Sequence, residues 1–408
     1  GALMALHIVI VGGGFGGLEA AFSLRNLLRS PIEITLIDRH GYHSFTPSIH
    51  EIIAGKVRPE AIRIPLAVVL KPADINFIQD EVLCVDPEKQ EVIARDSTLH
   101  YDYLVLSSGA ENNFYGVPGV EELSYRFRTP GDAERIRAGL EALLADPGRR
   151  FSIVLAGGGT EGVEVAGELI DAIMDHGSED GLASGRIAVE LVESREHLLP
   201  GFPLKAREFV DDYLSRRGVK LIFGSPIAEA KKDRVILASG KEREMSMLLW
   251  TGGIQPTRLI RDLPLPKDST GWLKVTDRLY SPDDERVYGI GDAITLNKFG
   301  SPVQMPRLAY HAQDQARVAS LNISSSISGR DFVSYEPKLR PHLISLGSDM
   351  GILVEGERFF SGSWVVTLKK AIERKHLMTY LTKPVTSALA AKIPGASILQ
   401  QLWRRLPI

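Results

Sequence analysis

The sequence predicts an α/β protein in which parallel sheets are covered by helices, and two observations predict it. A β-rich run, a glycine-rich turn, a helical stretch and a second strand follow one another near the N-terminus, and the same order recurs in the middle of the chain. The length of 408 residues predicts two or three domains with ample core. Apolar and charged fractions of 44% and 24% exclude disordered, collagen-like and disulfide-rich proteins.

The first unit begins with a predicted strand at residues 6–11 (LHIVIV). The glycine-rich turn 12–17 (GGGFGG) follows it, and residues 18–28 have helical character. The next strand, residues 32–37 (IEITLI), ends at Asp38. The order of strand, glycine turn, helix, strand and acid is that of half a Rossmann-type domain.

The second unit repeats this order with a strand at residues 151–156 (FSIVLA) and a turn at 157–162 (GGGTEG). A helix is predicted from about residue 163 to 174, followed by a strand at 187–192 that ends at Glu193. Two such units predict two Rossmann-type dinucleotide-binding domains, each with a parallel sheet. Two nucleotide sites in one chain suggest electron transfer between two cofactors.

The glycines of such a turn have three tasks. The first makes the tight turn, the second lets the backbone approach a pyrophosphate, and the third lets helix and strand pack closely. A plain glycine turn is the alternative, but two copies that are each followed by an acid argue against it. The carboxylates of Asp38 and Glu193 can accept both ribose hydroxyls. The glycines that fit the three tasks are Gly12, Gly14 and Gly17 in the first turn and Gly157, Gly159 and Gly162 in the second.

From residue 9 to about 323 the chain resembles the two-dinucleotide-binding flavoproteins, and most closely their type II NADH dehydrogenase branch, the NADH:quinone oxidoreductases. The segments that carry the resemblance occur in the order found in that family. They are GGGFGG at 12–17 with Asp38-Arg39, YHSFTP at 42–47, YDYLVLSSGA at 101–110, NFYGVPG at 113–119, GGGTEGVEVAGEL at 157–169, WTGG at 250–253 and YGIGD at 288–292.

The resemblance implies non-covalent FAD in the first unit, NADH in the second, and no metal. The implied FAD residues are Gly12, Gly14, Phe15, Gly16, Gly17, Asp38, Arg39, Thr46, Pro47, Val82, Ser108, Gly109, Gly291, Asp292 and Ala309. The implied NAD(P)H residues are Gly157, Gly159, Thr160, Glu161, Gly162, Glu193, Arg195, Gly252 and Gly253. The implied catalytic residues are Glu164, Tyr310, His311 and Gln315.

Three of these residues have roles that can be stated more closely. By the resemblance, Asp292 binds the ribityl or pyrophosphate part of FAD, with a helix N-cap as the alternative. Gly109 lets the backbone pass close to the cofactor. Glu164 resembles the family glutamate that lies where nicotinamide meets the isoalloxazine, with an ordinary carboxylate near a helix N-terminus as the alternative.

The choice between NADH and NADPH depends on two neighbouring side chains. Glu193 favours NADH, because a carboxylate that binds the ribose diol repels a 2′-phosphate. Arg195 lies two residues further on and could reach such a phosphate. The sequence therefore favours NADH and leaves NADPH open.

Residues 309–315 depart from the pattern of the quinone-reducing branch. That branch has AQxAxQQ, whereas this chain has AYHAQDQ, with Tyr310 and Asp314 in place of two glutamines and Gln315 retained. The departure leaves the electron acceptor open. Tyr310 can offer a ring face and a hydroxyl to a quinone, and His311 or Asp314 could relay protons to it. The alternative is that His311 and Asp314 are ordinary solvent-facing residues.

The single cysteine, Cys84, separates the branches of this fold. Sulfide:quinone reductases, disulfide reductases and thioredoxin reductases each need a cysteine pair near the flavin, which this chain lacks. We predict that Cys84 is a small buried apolar residue. A soluble NAD(P)H-dependent reductase of a ferredoxin or rubredoxin is the alternative enzyme, and a flavin-bound nucleotide sensor is the non-catalytic alternative.

The C-terminal tail, residues 365–408, differs in charge from the rest of the chain. It has eight Lys and Arg residues against Glu373 alone, a charge of +7, whereas the whole chain carries −3 and offers no net basic field for nucleic acid. Residues 398–406 form an amphipathic pattern suited to an anionic membrane surface. Packing on the body or across a homodimer is the alternative, and the resemblance implies that both can occur.

These observations give one overall prediction. The FAD-binding domain comprises residues 1–113 and 283–337, the NAD(P)H-binding domain 114–282, and a small α+β region with amphipathic helices 338–408. No secretory leader is visible at the N-terminus, which places the protein on the cytoplasmic face of a membrane as a peripheral protein. The predicted function is FAD-dependent transfer of hydride from NADH and of two electrons to a membrane quinone, without proton pumping.

Overall fold

A computed structural model describes residues 6–28, 31–298, 301–303 and 307–392. Its first large sheet has six strands, of which five run parallel and one edge strand is antiparallel. The spatial order of these strands is Tyr280–Ser281, Asp284–Gly289, Tyr103–Leu106, His7–Val11, Glu33–Asp38 and Asn76–Gln79.

The second large sheet has five strands, and all of its neighbouring pairs are parallel. Parallel pairing requires crossover connections, and most of them here are helices; a small three-stranded sheet instead leads from Val219–Phe223 to Met247–Trp250. The spatial order is Ser124–Arg126, Met247–Trp250, Phe151–Ala156, Ile187–Glu193 and Val219–Phe223. The predicted α/β class with two Rossmann-type sheets is therefore confirmed.

Smaller sheets join and cover the two large ones. The two-stranded pairs are Tyr42–Ser44 with Arg63–Pro65 and Ala110–Asn112 with Ile254–Pro256. The three-stranded sheets are Val82–Asp86, Glu91–Ala94 and Thr98–His100; Ile227–Lys231, Arg234–Leu237 and Glu242–Glu244; Leu273–Val275, Ile294–Lys298 and Ser301–Val303; and His342–Ser345, Gly351–Glu355 and Arg358–Gly362. The last of these is the small C-terminal sheet that the sequence predicts.

Helices lie against both large sheets. The α-helices are Phe15–Leu27, Leu66–Leu70, Val120–Leu123, Pro130–Leu144, Thr160–Asp175, Glu179–Ala183, Leu204–Arg216, Arg258–Asp262, Ala309–Ser328 and Ser363–Lys392. Short 3-10 helices occur at Thr46–Ser48, His50–Ile52, Pro59–Ile62, Lys71–Ala73 and Gly291–Ala293. Within the described ranges, no helix has both the length and the apolar character that a bilayer crossing requires.

The helices Phe15–Leu27 and Thr160–Asp175, here the first-turn and second-turn helices, begin about three residues earlier than predicted. Glycine has low helix propensity, which conceals the start of each helix in the sequence. Close packing holds that start in place. A Cβ added at Gly17 would lie 1.8 Å from the Gly12 carbonyl oxygen, and one at Gly162 would lie 1.9 Å from that of Gly157.

The first glycine of each turn is needed for a different reason. Gly12 and Gly157 have φ of +102° and +103°, a backbone conformation that side chains disfavour. A Cβ at Gly12 would also lie 2.2 Å from the Ser107 carbonyl oxygen. The turn and packing tasks predicted for the first and third glycines are thus met within the protein itself.

The prediction that Cys84 is buried is wrong, because Cys84 is exposed. It lies on the strand Val82–Asp86, whose register with Glu91–Ala94 shifts between Val82 and Cys84. A β-bulge of this kind interrupts the alternation of buried and exposed side chains. Leu83 and Cys84 consequently both face solvent.

A buried charged cluster ties the second-turn helix to the rest of the molecule. Lys56 Nζ lies 2.8 Å from Glu168 Oε1 and 2.6 Å from Asp171 Oδ2. Asp171 also accepts hydrogen bonds from Arg217 Nη2 at 2.8 Å and from the Ser348 backbone N–H at 2.7 Å. Because these partners come from four separate parts of the chain, the cluster holds those parts in register.

Candidate active site

The middle glycine of each turn has no role within the protein fold. Gly14 and Gly159 are the N-caps of the first-turn and second-turn helices, with φ of −71° and −72°. A Cβ added at either would meet no protein atom within 4 Å. An alanine would therefore cause neither strain nor contact, so the missing side chain makes room for something outside the protein.

Each helix N-terminus also leaves backbone donors for a ligand. No side chain caps either the first-turn or the second-turn helix. Free N–H groups and the positive end of the helix dipole favour an anion there. A pyrophosphate would use both the donors and the space at the middle glycine, so both turns fit a dinucleotide.

The predicted acids lie against their own turns. Asp38 Oδ2 accepts a hydrogen bond of 2.6 Å from the Gly13 N–H, and Glu193 Oε2 accepts one of 2.8 Å from the Gly158 N–H. The Arg195 N–H donates to Glu193 Oε1 at 3.0 Å. Ionised carboxylate oxygens have further acceptor sites, so both acids can still take ribose hydroxyls. The Arg195 side chain is exposed.

Arg128 connects the two nucleotide sites, and sequence reasoning missed it. Its guanidinium lies 3.8 Å from Asp292 Oδ2 and 3.7 Å from Glu161 Oε1. Burial raises the pKa of both acids, and the charge of Arg128 opposes that rise. The arginine lies just before the helix Pro130–Leu144 and belongs to no motif, so the sequence contains no signal for it.

Gln315 supports the turn that carries Asp292. Its Oε1 accepts a 2.7 Å hydrogen bond from the Gly291 backbone N–H, and its side chain is fully buried. Asp292 lies inside the 3-10 helix Gly291–Ala293, whose N-cap is Ile290, so the alternative role of Asp292 as an N-cap is wrong. The structure gives Gln315 a positioning task, and a catalytic role for it stays a prediction.

His311 and Tyr310, two of the predicted catalytic residues, lie next to each other on the helix Ala309–Ser328 but have different neighbours. His311 is buried, with Nδ1 2.9 Å from the Tyr335 hydroxyl, and burial lowers its pKa. The alternative that His311 faces solvent is therefore wrong. The Arg340 guanidinium lies 4.8 Å from the centre of the Tyr310 ring and also pairs with Asp314 at 2.7 Å.

Glu164 lies in a buried polar cluster with three partners that sequence reasoning missed. Its Oε1 pairs closely with Lys369 Nζ and accepts the Ser345 N–H at 3.1 Å, and its Oε2 lies 3.7 Å from His50 Nδ1. His50 Nε2 is 3.0 Å from Ser345 Oγ. Glu164 is thus the centre of a cluster rather than an exposed carboxylate near a helix N-terminus.

The charges of this cluster stabilise one another. Burial alone would raise the pKa of Glu164, but the charge of Lys369 and the hydrogen bonds from Lys369 and the Ser345 N–H outweigh it, and the net direction is down. For Lys369, burial lowers the pKa, and Glu164 and Glu373 reverse that effect. The Glu164–Lys369 pair is therefore ionised at neutral pH. Burial lowers the pKa of His50 to about 3, so His50 is neutral.

The helix Ser363–Lys392, here the tail helix, packs on the body of the protein. Tyr380 is buried, with its ring centre 5.0 Å from that of His43 and 6.0 Å from that of Phe15. The Gln313 amide donates a 2.6 Å hydrogen bond to the Tyr380 hydroxyl. Body packing therefore holds for this part of the tail, and the amphipathic pattern at 398–406 lies outside the described residues.

The charge of the tail is distributed differently from the prediction. Lys369 is one of the eight bases in the +7 total, yet its side chain is only 11% exposed. Lys370 pairs with Glu51 at 3.2 Å. Part of the basic excess is thus neutralised inside the protein. Gln313 lies in the 309–315 segment that departs from the family pattern, so the sequence could have indicated it as a site residue. No feature of the sequence indicates Tyr380.

The other predicted residues lie on loops and element ends. Gly109 has φ of +67°, and a Cβ there would meet nothing within 4 Å, as at Gly14. Ser108 Oγ is 3.1 Å from Thr257 Oγ1. Contacts to a ligand stay predictions for this group, whose remaining members are Phe15, Gly16, Arg39, Thr46, Pro47, Val82, Ala309, Thr160, Gly252 and Gly253.

Comparison with known proteins identifies the family. A family model described as pyridine nucleotide-disulphide oxidoreductase matches residues 6–316. The chain therefore belongs to this family and is a pyridine nucleotide-dependent oxidoreductase. The family name refers to a disulphide, but a single cysteine cannot form one within this chain.

Individual relatives indicate which branch of the family the chain resembles. A type II NADH:quinone oxidoreductase of Staphylococcus saprophyticus is 24% identical over 379 residues, which cover 90% of this chain and 94% of the relative. A demethylphylloquinone reductase of Synechocystis is 26% identical over 400 residues, covering 93% and 96%. The resemblance to the type II NADH dehydrogenase branch is thereby confirmed.

Solved structures share the fold. NDH2 of Plasmodium falciparum in complex with NADH superimposes with a TM-score of 0.81 at 18% identity, covering 96% of this chain and 99% of that one. Sulfide:quinone oxidoreductase of Aquifex aeolicus gives 0.79 at 23% identity, covering 99% and 96%. At these identities the similarity concerns the fold alone.

The glycine geometry predicts three distinct outcomes for one type of substitution. Gly14→Ala should fold but lose bound flavin, with affinity at least about tenfold weaker, or about 1.4 kcal/mol. Gly159→Ala should retain flavin and bind NADH more weakly. Gly17→Ala should destabilise the fold by about 1–3 kcal/mol or more, because its Cβ meets the Gly12 carbonyl.

Flavin absorbance, NADH titration and thermal unfolding separate the three variants. Gly159→Ala is the matched control for Gly14→Ala, since an added Cβ would meet no protein atom at either glycine. Full flavin content in Gly14→Ala would contradict the assignment of the first turn.

Proposed function

We propose that this protein is an FAD-dependent NADH dehydrogenase that passes two electrons to a membrane quinone without pumping protons. The observation that carries the proposal is the pair of glycine turns. In each turn a Cβ at the middle glycine, Gly14 or Gly159, would meet no protein atom, which leaves room for a ligand. Arg128, within 4 Å of an acid of each site, supports close approach of the two nucleotides. The names of the curated relatives support NADH and quinone as substrates.

FAD, when bound, supplies the chemistry of accepting a hydride and releasing two electrons singly or together. In the proposal, the first turn holds its pyrophosphate, Asp38 its ribose, and Asp292 its ribityl or pyrophosphate oxygens. The second turn and Glu193 hold NADH in the same manner. Binding at these rigid helix ends orients both nucleotides.

Glu164 and Lys369 act near the junction of the two sites. Glu164 lies one helical turn inside the second-turn helix, and its cluster with Lys369 and Ser345 links that helix to the tail helix and the C-terminal sheet. In the proposal the ionised pair orients the reacting rings and excludes water. Tyr310 offers its ring to the acceptor, and the tail helix covers the acceptor side through Tyr380 and Gln313.

A second candidate function is supported by the altered 309–315 segment. The Arg340 guanidinium lies over one face of the Tyr310 ring, and Asp314 is paired with two arginines, Arg317 and Arg340. A soluble NAD(P)H-dependent reductase of a small redox protein would also have an acceptor site that differs from that of quinone reductases. The nucleotide sites are the same in both proposals.

The decisive experiment follows the flavin colour of the purified protein. NADH should bleach the flavin, and a quinone should restore the colour with two electrons per flavin. Loss of colour that no quinone reverses would favour the redox-protein acceptor. If neither NADH nor NADPH bleaches the flavin, both enzyme proposals are wrong.

Glu193 is expected to set the preference for NADH. Glu193→Ser removes the charge that repels a 2′-phosphate and leaves Arg195 able to bind it, so kcat/KM for NADPH should rise by about tenfold relative to NADH. Steady-state kinetics with both nucleotides measures the ratio. Asp38→Ser is the matched control at the other turn, and it should alter flavin binding without changing this ratio.

The tail is expected to bind membranes. The outer face of the tail helix exposes Trp364, Leu368 and Ile372, which lie four residues apart. In the proposal, this face and the basic residues beyond it attach the protein to the cytoplasmic face of an anionic membrane, and homodimer contacts share the region.

Removal of residues 394–408 should abolish co-sedimentation with anionic vesicles and leave flavin reduction by NADH unchanged. The amphipathic pattern at 398–406, with Arg404 and Arg405 on its polar face, lies in that segment, which is why its loss should have this effect. Vesicles of neutral lipid serve as the control for charge. Undiminished sedimentation of the shortened protein would show that the anchor lies elsewhere.

A further inference from the structure

A small polar cavity lies beside the Glu164–Lys369 pair and outside the two nucleotide turns. Its volume of about 10 Å³ for the centre of a water-sized sphere approaches that needed by one water molecule. Most of its lining is charged, which is unusual for a cavity inside a protein. The lining residues are Glu51, Lys56, Glu168, Ser345, Gly347, Val366, Lys369 and Lys370.

Glu373 lies next to this cavity on the tail helix. Its side chain is buried, and Ser48 Oγ donates a 3.0 Å hydrogen bond to its Oε2. Its Oε1 is 3.9 Å from Lys369 Nζ and has no hydrogen-bond partner among the described residues. A buried carboxylate with one oxygen that accepts no hydrogen bond is poorly stabilised in its ionised form, which favours the protonated carboxyl.

The charges around Glu373 come from three elements. Lys369 faces it from the tail helix, Glu51 from the 3-10 helix His50–Ile52, and Glu164 from the second-turn helix. Burial raises the pKa of Glu373 to about 7, and Glu51 and Glu164 add to the rise while Lys369 and the Ser48 hydroxyl oppose it. The carboxyl therefore exchanges its proton near neutral pH.

The proposed reaction needs one proton from water in each turnover. NADH, one proton and quinone give NAD⁺ and quinol; the hydride brings two electrons and one proton, and the second proton of the quinol must come from elsewhere. A buried reaction site needs a group that holds this proton and a path that restores it.

We propose that Glu373 is the residue that holds this second proton, with Ser48 as the hydroxyl that passes it on. Ser48 directly follows Thr46 and Pro47, the residues predicted to lie against the flavin. The transfer starts from the carboxyl protonated on Oε2, whose O–H donates to Ser48 Oγ. This O–H bond breaks as the Ser48 hydroxyl takes the proton and gives its own toward the reduced quinone oxygen, after which Ser48 donates to the carboxylate as the structure shows. No electrons move in this step, and the inference rests on the proposed function.

The cavity supplies the path by which the carboxylate regains its proton. Lys370 is partly exposed and pairs with Glu51, which lines the cavity together with Lys369. Water reaching this end can return a proton through Lys369 to Glu373. The neighbouring acid Glu168 also has its pKa raised by burial, to about 7, but it is bound to Lys56 and has no contact with Ser48.

Infrared spectroscopy of the flavin-loaded protein tests the proton site without measuring activity. The wild type should show a protonated-carboxyl band that shifts in D₂O and disappears as the pH rises through about 7. Glu373→Gln should lose the part of this band that belongs to Glu373, whereas Glu168→Gln should lose only the part that belongs to Glu168, whose pKa burial also raises to about 7. Glu190→Gln is the matched control, because Glu190 is also a buried carboxylate paired with a lysine but lies far from the cavity. An undiminished band in Glu373→Gln would overturn the proposal.

Stopped-flow kinetics tests the transfer of the proton. In Glu373→Gln, bleaching by NADH should be unchanged, whereas reoxidation by a soluble quinone should slow by about a hundredfold and lose its dependence on pH near 7. Ser48→Ala should slow the same step without removing the infrared band.

The outcomes separate this inference from the proposed function. A wild-type protein that quinone does not reoxidise would refute the proposed function. If the wild type is reoxidised and Glu373→Gln matches its rate, the assignment of the proton to Glu373 is wrong and the proposed function stands.

Discussion

The contact between the first and third glycines of each turn is the constraint on which the rest of the site depends. With no side chain at Gly17 or Gly162, each helix packs directly on the preceding carbonyl, so its N-terminus lies at the carboxyl edge of a parallel sheet. This position aims free N–H groups at one point and brings the acid at the end of the next strand beneath the turn. The same geometry occurs at both turns, so each turn can hold one nucleotide.

The sequence predicted those parts of the molecule whose determinants are close together along the chain. The glycine turns, Asp38 and Glu193 each depend on about thirty neighbouring residues, and their strands and helices were found with only small errors in the bounds. Glu164 and Lys369 meet across 205 residues, and Arg128 meets Asp292 with no motif around it. Contacts of this kind follow from how the sheets and the tail helix pack, which periodicity along the chain does not encode.

Counting charges along a segment gave a correct total but did not distinguish buried charges from exposed ones. Lys369 and Glu373 lie one turn apart on the tail helix and face inward, so they belong to the buried cluster rather than to a membrane-facing surface. The outward face of the same helix instead exposes Trp364, Leu368 and Ile372. One helix therefore connects an internal polar network to an external apolar face.

Stability alone does not account for this internal network. Burying an ion pair removes two charges from water, and well-packed apolar residues of similar volume are commonly as stabilising or more so. Here several ionisable groups, Glu164, Lys369, Glu373 and His50 among them, share one enclosed region, and two of the buried acids nearby have pKa values raised to about 7. Under the proposed function, a cluster with such acids beside the two nucleotide sites has the properties required to couple electron transfer to proton uptake. The proposal thus gives these buried charges a chemical role that packing alone does not supply.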